Sequence, residues 1–452
     1  MKHVWLWWNK QDLKIEQQQL VEEGRDTRAV EAEFARLLAE ETPEDTQFQK
    51  TMNDLLDKTQ SLPIRADYRY VEPSDLETIK AHRTDGPRVL TITDSKAKRQ
   101  NHIAGAWLGR CAGCLLGKPI EGVRSPKLQQ LMKRAGYREI PDYLWRLPGL
   151  TEKDYLELDF ENLWNYRKLG SFPGDDDTNY TVMAMAMVKQ KGIHFTPSDV
   201  ADFWMANIPI LRTCTAERVA YRNFADNIEP PNSAIVRNPY REWIGAQIRA
   251  DFYGYVALGQ PELAAELAWR DASISHVKNG IYGAMWVAAM LAVAMTQTET
   301  RRIIEIGLTE IPETSRFHEA IIEILNRHAA GDSYFDTLQY IHQCWDETNW
   351  HHWCHTVANA QIVTMGLLYG EGDYEKSITR AVLTCFDTDC NGATVGSIMG
   401  MMLGAQALPR KWTDVMNDTI HTDLQGYQST RISTLAEEMF QIHQSVLHPA
   451  KP

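Results

Sequence analysis

The sequence predicts an all-α fold for residues 96–452, on three observations. Apolar residues recur at helical spacing through one segment after another. Runs of alternating apolar and polar residues, the mark of half-buried strands, are almost absent. Two sets of glycines also fall on every fourth position: Gly105, Gly109, Gly113 and Gly117, then Gly392, Gly396, Gly400 and Gly404. Glycine inside a helix costs about 1 kcal/mol relative to alanine, so eight of them at this period need a reason. A smooth glycine face lets two helix backbones approach closely, and the pattern predicts two tightly crossing core helices.

Residues 1–95 are charged, rich in Gln and Glu and poor in Gly. The stretch 17–40 has strong helix formers, with Leu20, Val21, Val30, Phe34, Leu37 and Leu38 at roughly helical spacing, and predicts an N-terminal helical extension. Asp85-Gly86-Pro87 breaks that pattern, and the Val/Leu/Ile/Thr run 89–93 reads as a strand or an extended linker. After the first glycine set, 122–172 is rich in Tyr, Trp, Asp and Glu with weak periodicity, as expected of an insertion over a site. Helices are then predicted over 180–190, 197–205, 244–257, 261–271, 280–295, 315–330, 334–347, 358–368 and 375–385, with a loop at Pro230-Pro231-Asn232-Ser233. The organisation is an extension, 1–95, followed by a catalytic domain, 96–452.

The chain has 452 residues, 44% of them hydrophobic, with 14 Trp and 16 Met, which suits a packed core. Its net charge of −13 offers no electrostatic footprint for nucleic acid. The seven cysteines form no disulfide framework, and Cys111-x-x-Cys114 lies inside a helical run as a packing pair. Residues 4–8 are too short for a signal peptide core, and the longest apolar stretch, 283–295, falls short of the ~20 residues that span a membrane. A cytoplasmic protein with no membrane partner is the expectation.

The chemistry concentrates in two acidic stretches. Asp175-Asp176-Asp177 follows Pro173-Gly174 and leads into an apolar helical run. A single Asp suffices to cap a helix, so three exceed that need and point to a divalent cation. Asp387 and Asp389 precede the second glycine set in the same manner. Carboxylate oxygens suit hard ions, and two such ions ~3.5–4 Å apart polarise a water or a sugar hydroxyl. A Cys390 thiolate would suit zinc better than magnesium. His276 precedes a helical run as a cap, a core residue or a substrate contact, with Asn279 beside it. Trp350-His351-His352-Trp353-Cys354-His355 has the composition of a zinc site but no H-E-x-x-H pattern, and reads as packing. No phosphate-binding glycine loop and no G-x-S-x-G nucleophile elbow is present.

Three motifs in order, Gly113-Cys114-Leu115-Leu116-Gly117-Lys118-Pro119-Ile120-Glu121, Gly174-Asp175-Asp176-Asp177-Thr178 and Asp387-Thr388-Asp389-Cys390-Asn391, resemble those of the ADP-ribosylglycohydrolase superfamily. The resemblance spans roughly residues 100–410 and implies an all-α, multi-helix orthogonal bundle. It implies two Mg2+ ions, or Mn2+, held by Glu121, Asp175, Asp176, Asp177, Asp387, Asp389 and Cys390. Glu121 or Asp177 is then the general base, and His276, Asn279, Asn359 and Asn391 are on the substrate side. Cys114, Asp175 and Cys390 stand where the family pattern has Asp, Thr and Thr or Ser. The implied activity is hydrolysis of a glycosidic bond at a ribosyl anomeric carbon, in an ADP-ribosylated substrate or ADP-ribose derivative, with aromatic residues of 123–172 stacking on the leaving group. Hydrolysis of a nucleoside or other small N-ribosyl compound is the alternative. A protein that binds ADP-ribose without turnover is the second.

Overall fold

The structure is a computed structural model that describes residues 1–447, and it is all-α. Among those residues the sheet content is one antiparallel hairpin, Thr419–His421 paired with Ser429–Arg431. At the centre the Lys96–Gly117 and Thr388–Leu403 helices cross antiparallel, glycine on glycine. Gly105 meets Gly400, Gly109 meets Gly396 and Gly113 meets Gly392, each with the other's carbonyl where its own Cβ would stand. The expected glycine seam is therefore one continuous backbone contact.

Around this pair lie Asn279–Ala294 and Thr356–Tyr369, both buried along their whole length. They carry almost no polar face because neighbours cover every side. The other predicted helices appear with ends shifted by a few residues, including Asp176–Lys191, Pro197–Asn207, Pro261–Ala272, Arg316–Ala330, Tyr334–Cys344 and Tyr374–Leu383. The 244–257 expectation splits into a 3-10 turn, Ile244–Arg249, and a short helix, Asp251–Val256. Gly245 there lies against the Glu217 carboxylate, and buried Arg249 reaches out to Glu217 and Asp271 at 2.8 and 2.7 Å.

Two other expectations change. The 17–40 run is not one helix but Lys10–Glu22 and Glu31–Leu38, broken at Gly24, whose φ of 76° leaves the helical region. Residues 89–93 are extended without a strand partner, held by Leu90 N–H on the Gly259 carbonyl at 2.7 Å.

Residues 1–95 share the main core: Trp8, Leu13, Phe34 and Leu55 are buried in the same hydrophobic cluster as the central helices. Charged contacts reinforce the docking. Arg241 bridges Glu16 and Glu23 at 2.6 and 2.9 Å, and Gln19 donates to Glu242 at 2.9 Å. Among the described residues no helix is long and apolar enough to cross a membrane.

Candidate active site

The helix crossing brings the acidic stretches together. Gly117, the last residue of its helix, lies against the Thr388 carbonyl, and Thr388 Oγ1 donates to the Gly117 carbonyl at 3.0 Å. Glu121 follows directly and so stands beside Asp387, the N-cap of the Thr388–Leu403 helix, and Asp389 in its first turn. The chain enters that turn through Cys385 and Phe386, both in the left-handed region at φ 65° and 62°. Such conformations cost about 1–3 kcal/mol each and persist where the surroundings impose them. Asp175 caps the Asp176–Lys191 helix, accepting from the Asp177 N–H at 2.9 Å.

Oxygens of Glu121, Asp387 and Asp389 lie within 4.8 Å of one another. So do donor atoms of Asp177, Asp389 and Cys390, and of Cys114, Asp175 and Asp177. Two cations of the chain pair with this cluster. The Lys118 ammonium sits on Asp175, and buried Arg110 lies 3.1 Å from Asp177 and 2.9 Å from Asp251. They leave most of the negative charge uncompensated. The Asp389 charge and then burial push Glu121 up to about 9, and burial with Asp175 and Asp389 pushes Asp176 up to about 7. Burial and neighbouring carboxylates likewise raise Asp177, Asp387 and Asp389. Like charges crowded in this way are the electrostatic setting of a cation site.

The donor set fits a hard divalent cation. Burial and the adjacent carboxylates raise the Cys390 and Cys114 thiols well above their ordinary range. Carboxylate oxygens from Glu121, Asp175, Asp177, Asp387 and Asp389 outnumber the Cys114 and Cys390 sulfurs, which suits a hard ion better than zinc.

Glu121, Asp176, Asp387, Asp389 and Cys390 border a cavity of about 440 Å³, whereas Asp175 and Asp177 lie behind its wall. Of the two general-base candidates, Asp177 is fully buried against Arg110, whereas Glu121 borders the cavity. Two expected substrate contacts are corrected. His276 is buried, bonded to Ser275 Oγ at 2.8 Å, and Asn279 is buried with its amide on Glu72 and Glu242 at 2.9 and 2.7 Å. Neither lines the cavity. Asn359 and Asn391 are buried behind Asp387: Asn359 Oδ1 accepts from the Asn391 amide at 2.8 Å and from the Asp387 N–H at 3.4 Å. They hold the Asp387 turn rather than face the cavity.

The aromatic wall also differs from expectation. Within 123–172, Tyr143 stacks on Trp145 at 4.3 Å and meets Trp412 edge-on, so these rings serve their own packing. The cavity's aromatic lining is Trp5, Trp243, Trp350 and Trp353. Of these the sequence singles out only Trp350 and Trp353, within the Trp–His segment 350–355, and it gives no sign of Trp5, Trp243 or the ion pairs of Lys118 and Arg110.

That His-rich segment is a latch. His351 and His355 Nε2 lie 3.2 and 3.4 Å from Glu22 Oε2, and His352 Nε2 lies 3.7 Å from Oε1. The Nδ1 atoms of His351, His352 and His355 accept from Trp243 Nε1–H, Asp346 N–H and Val357 N–H respectively. His351 Nε2 therefore turns towards Glu22, while His352 Nε2 also meets the Gln18 amide at 2.5 Å and His355 Nε2 makes no hydrogen bond among the described residues. Although burial opposes it, the imidazoles hold Glu22 well below the usual carboxylate range.

Comparison with known proteins identifies the family. A family model described as ADP-ribosylglycohydrolase matches residues 95–446. The chain belongs to the ADP-ribosylglycohydrolase family. A solved structure described as an ADP-ribosylglycohydrolase-related protein complex is similar at 17% identity and a TM-score of 0.47, covering 77% of this chain and 99% of that chain. No curated protein matches. Family membership supports hydrolysis of a glycosidic bond, and the acidic cluster suits the metal dependence general in this family.

Proposed function

We propose that this ADP-ribosylglycohydrolase-family chain is a divalent-cation-dependent hydrolase that cleaves the glycosidic bond at a ribosyl anomeric carbon. The observation that carries the reading is the Glu121–Asp387–Asp389 cluster, its oxygens within 4.8 Å of one another and open to the cavity. Asp176, Asp387, Asp389 and Glu121 would hold the cation on the cavity side, with Asp177 behind them; two ions, Mg2+ or Mn2+, match the number of donor groups. Bound there, the cation supplies Lewis acidity towards the ribose hydroxyls and water.

The remaining chemistry belongs to the chain's own residues. Glu121, exposed at the cavity edge, accepts the proton of the attacking water. Asn359 and Asn391 fix the Asp387 turn, and Lys118 fixes Asp175, so the carboxylates keep their spacing as substrate enters. The four tryptophans exclude water from the leaving-group side. Positive charge developing at the anomeric carbon faces the carboxylates.

The test is release of free ribose or ADP-ribose from ribosyl and ADP-ribosyl substrates, with Mg2+ and with chelator. Glu121→Gln is expected to lower kcat by about 10²–10⁴-fold, as for loss of a positioned acid–base group. Its metal-induced rise in Tm should shrink without vanishing, since Asp176, Asp387 and Asp389 still face the cation. Asp389→Asn should lose both. Ligand binding without Mg2+-dependent release in the wild-type chain would instead favour a non-catalytic binder.

A further inference from the structure

The cavity's outer wall comes from the N-terminal segment, outside the stretch that the family model matches. Val4, Trp5, Asn9, Gln11, Asp12 and Ile15 line it opposite the carboxylates. This wall is built. Trp5 holds a left-handed backbone at φ 62°, unusual for a bulky side chain, and so marks a position its surroundings impose. The Arg218 guanidinium lies over the Trp5 ring at 4.7 Å and donates to the Val4 carbonyl at 3.2 Å. Trp350 and Trp353 complete the aromatic side, their rings 5.4 Å apart and edge-on.

Among the described residues, none that lines this cavity is Lys, Arg or His. Backbone amides offer a phosphate no substitute at the helix that starts there, Lys10–Glu22. Its Gln11 and Asp12 N–H groups are taken by Asn9 Oδ1 at 2.7 and 3.1 Å, and its Lys10 N–H by Glu44 at 2.9 Å. Asn9 N–H is taken by Asp12 at 2.9 Å. The first turn of the second helix on the wall, Thr215–Ala225, is occupied by the Glu217 carboxylate, which pairs with Arg249 at 2.8 Å. Phosphate groups are bound by cations or free helix-start amides, and this wall presents carboxylates and indole faces instead. The indole rings, three of them already under the Arg218 and Arg124 guanidiniums, favour a flat ring, and the cavity carboxylates favour a cationic one above a neutral one.

We propose that the substrate is a phosphate-free N-riboside with a flat heteroaromatic, preferably cationic, leaving group, and that Trp5 of the N-terminal segment sets this specificity. The proposal rests on the ribosyl-hydrolase reading above. For the cationic ring, the anomeric carbon–nitrogen bond breaks with its electron pair going to the ring nitrogen, which leaves as a neutral base. Water oxygen forms the new bond to the anomeric carbon, and its proton passes to Glu121 and then to solvent.

Three probes share one leaving group and differ in phosphate: nicotinamide riboside, nicotinamide mononucleotide and NAD. With full-length protein and Mg2+, kcat/KM is expected to be at least tenfold higher for the riboside than for either phosphorylated compound. Trp5→Ala should raise KM for the riboside severalfold and leave the Mg2+-induced Tm rise intact. Gln11→Lys, an exposed position on the wall, should narrow the preference. Faster cleavage of NAD or of ADP-ribosylated arginine than of the riboside overturns the proposal and leaves the ribosyl-hydrolase reading standing. No Mg2+-dependent cleavage of any of the four overturns both.

Discussion

Asn359 touches no substrate cavity, yet its side chain joins three parts of the acidic centre. It donates to the Trp353 and His355 carbonyls at 2.9 and 3.0 Å and accepts from Asn391 and from the Asp387 N–H. Partners one step behind metal ligands typically carry a 10–100-fold effect on metal affinity. Asn359→Ala is therefore expected to weaken Mg2+ by about that factor, measured by calorimetric titration. An unchanged Kd in the folded variant would contradict the bracing role. The carboxylates themselves were legible in the sequence because consecutive aspartates before an apolar helix have few structural uses. The second layer was not. Lys118 and Arg110 look like ordinary helix residues until the fold sets them against Asp175 and Asp177, and His276 looked functional because sequence cannot distinguish a buried imidazole from one on a cavity wall.

At the level of elements, the glycine crossing sets the distance between the acidic stretches, and it tests a conflict of signs. Gly113→Ala removes a helix-interior glycine, worth about 1 kcal/mol of stability on propensity alone. The new Cβ would fall on the Gly392 carbonyl, a backbone atom that cannot rotate away. Overpacking of this kind typically costs about 1–3 kcal/mol. The clash should prevail, giving net destabilisation in urea together with weaker Mg2+ binding, because the helices that carry Glu121 and Asp389 are pushed apart. A stabilised variant would show that the seam can open. This crossing was readable from the sequence, since glycine every fourth residue leaves few alternatives. The N-terminal helices were readable only as helices. Their position over the site depends on Glu22 meeting three imidazoles and Glu16 and Glu23 meeting Arg241, pairings that leave no local pattern.

Across the whole molecule, the charge excess at the centre makes stability depend on pH and cation together. In the fold Asp176 sits at about 7 and Glu121 at about 9, against roughly 3.9 and 4.3 for free side chains. A carboxyl raised in this way favours the fold at low pH. That advantage is lost as pH climbs from about 4 through the folded value, since the unfolded chain ionises freely and the fold resists. A bound divalent cation removes the resistance by accepting the ionised groups. The rise in Tm on adding saturating Mg2+ should thus be small at pH 5, larger at pH 7 and largest near pH 9. A hundredfold excess of cation over Kd corresponds to about 2.7 kcal/mol. His355, which burial pushes down to about 3, adds an acid sensitivity below about pH 6.5. It acts on metal-free and metal-loaded protein alike, so the difference between the two melting curves isolates the acidic centre. A Mg2+ increment that stays flat from pH 5 to 9, or shrinks, would mean that these carboxylates do not meet the cation.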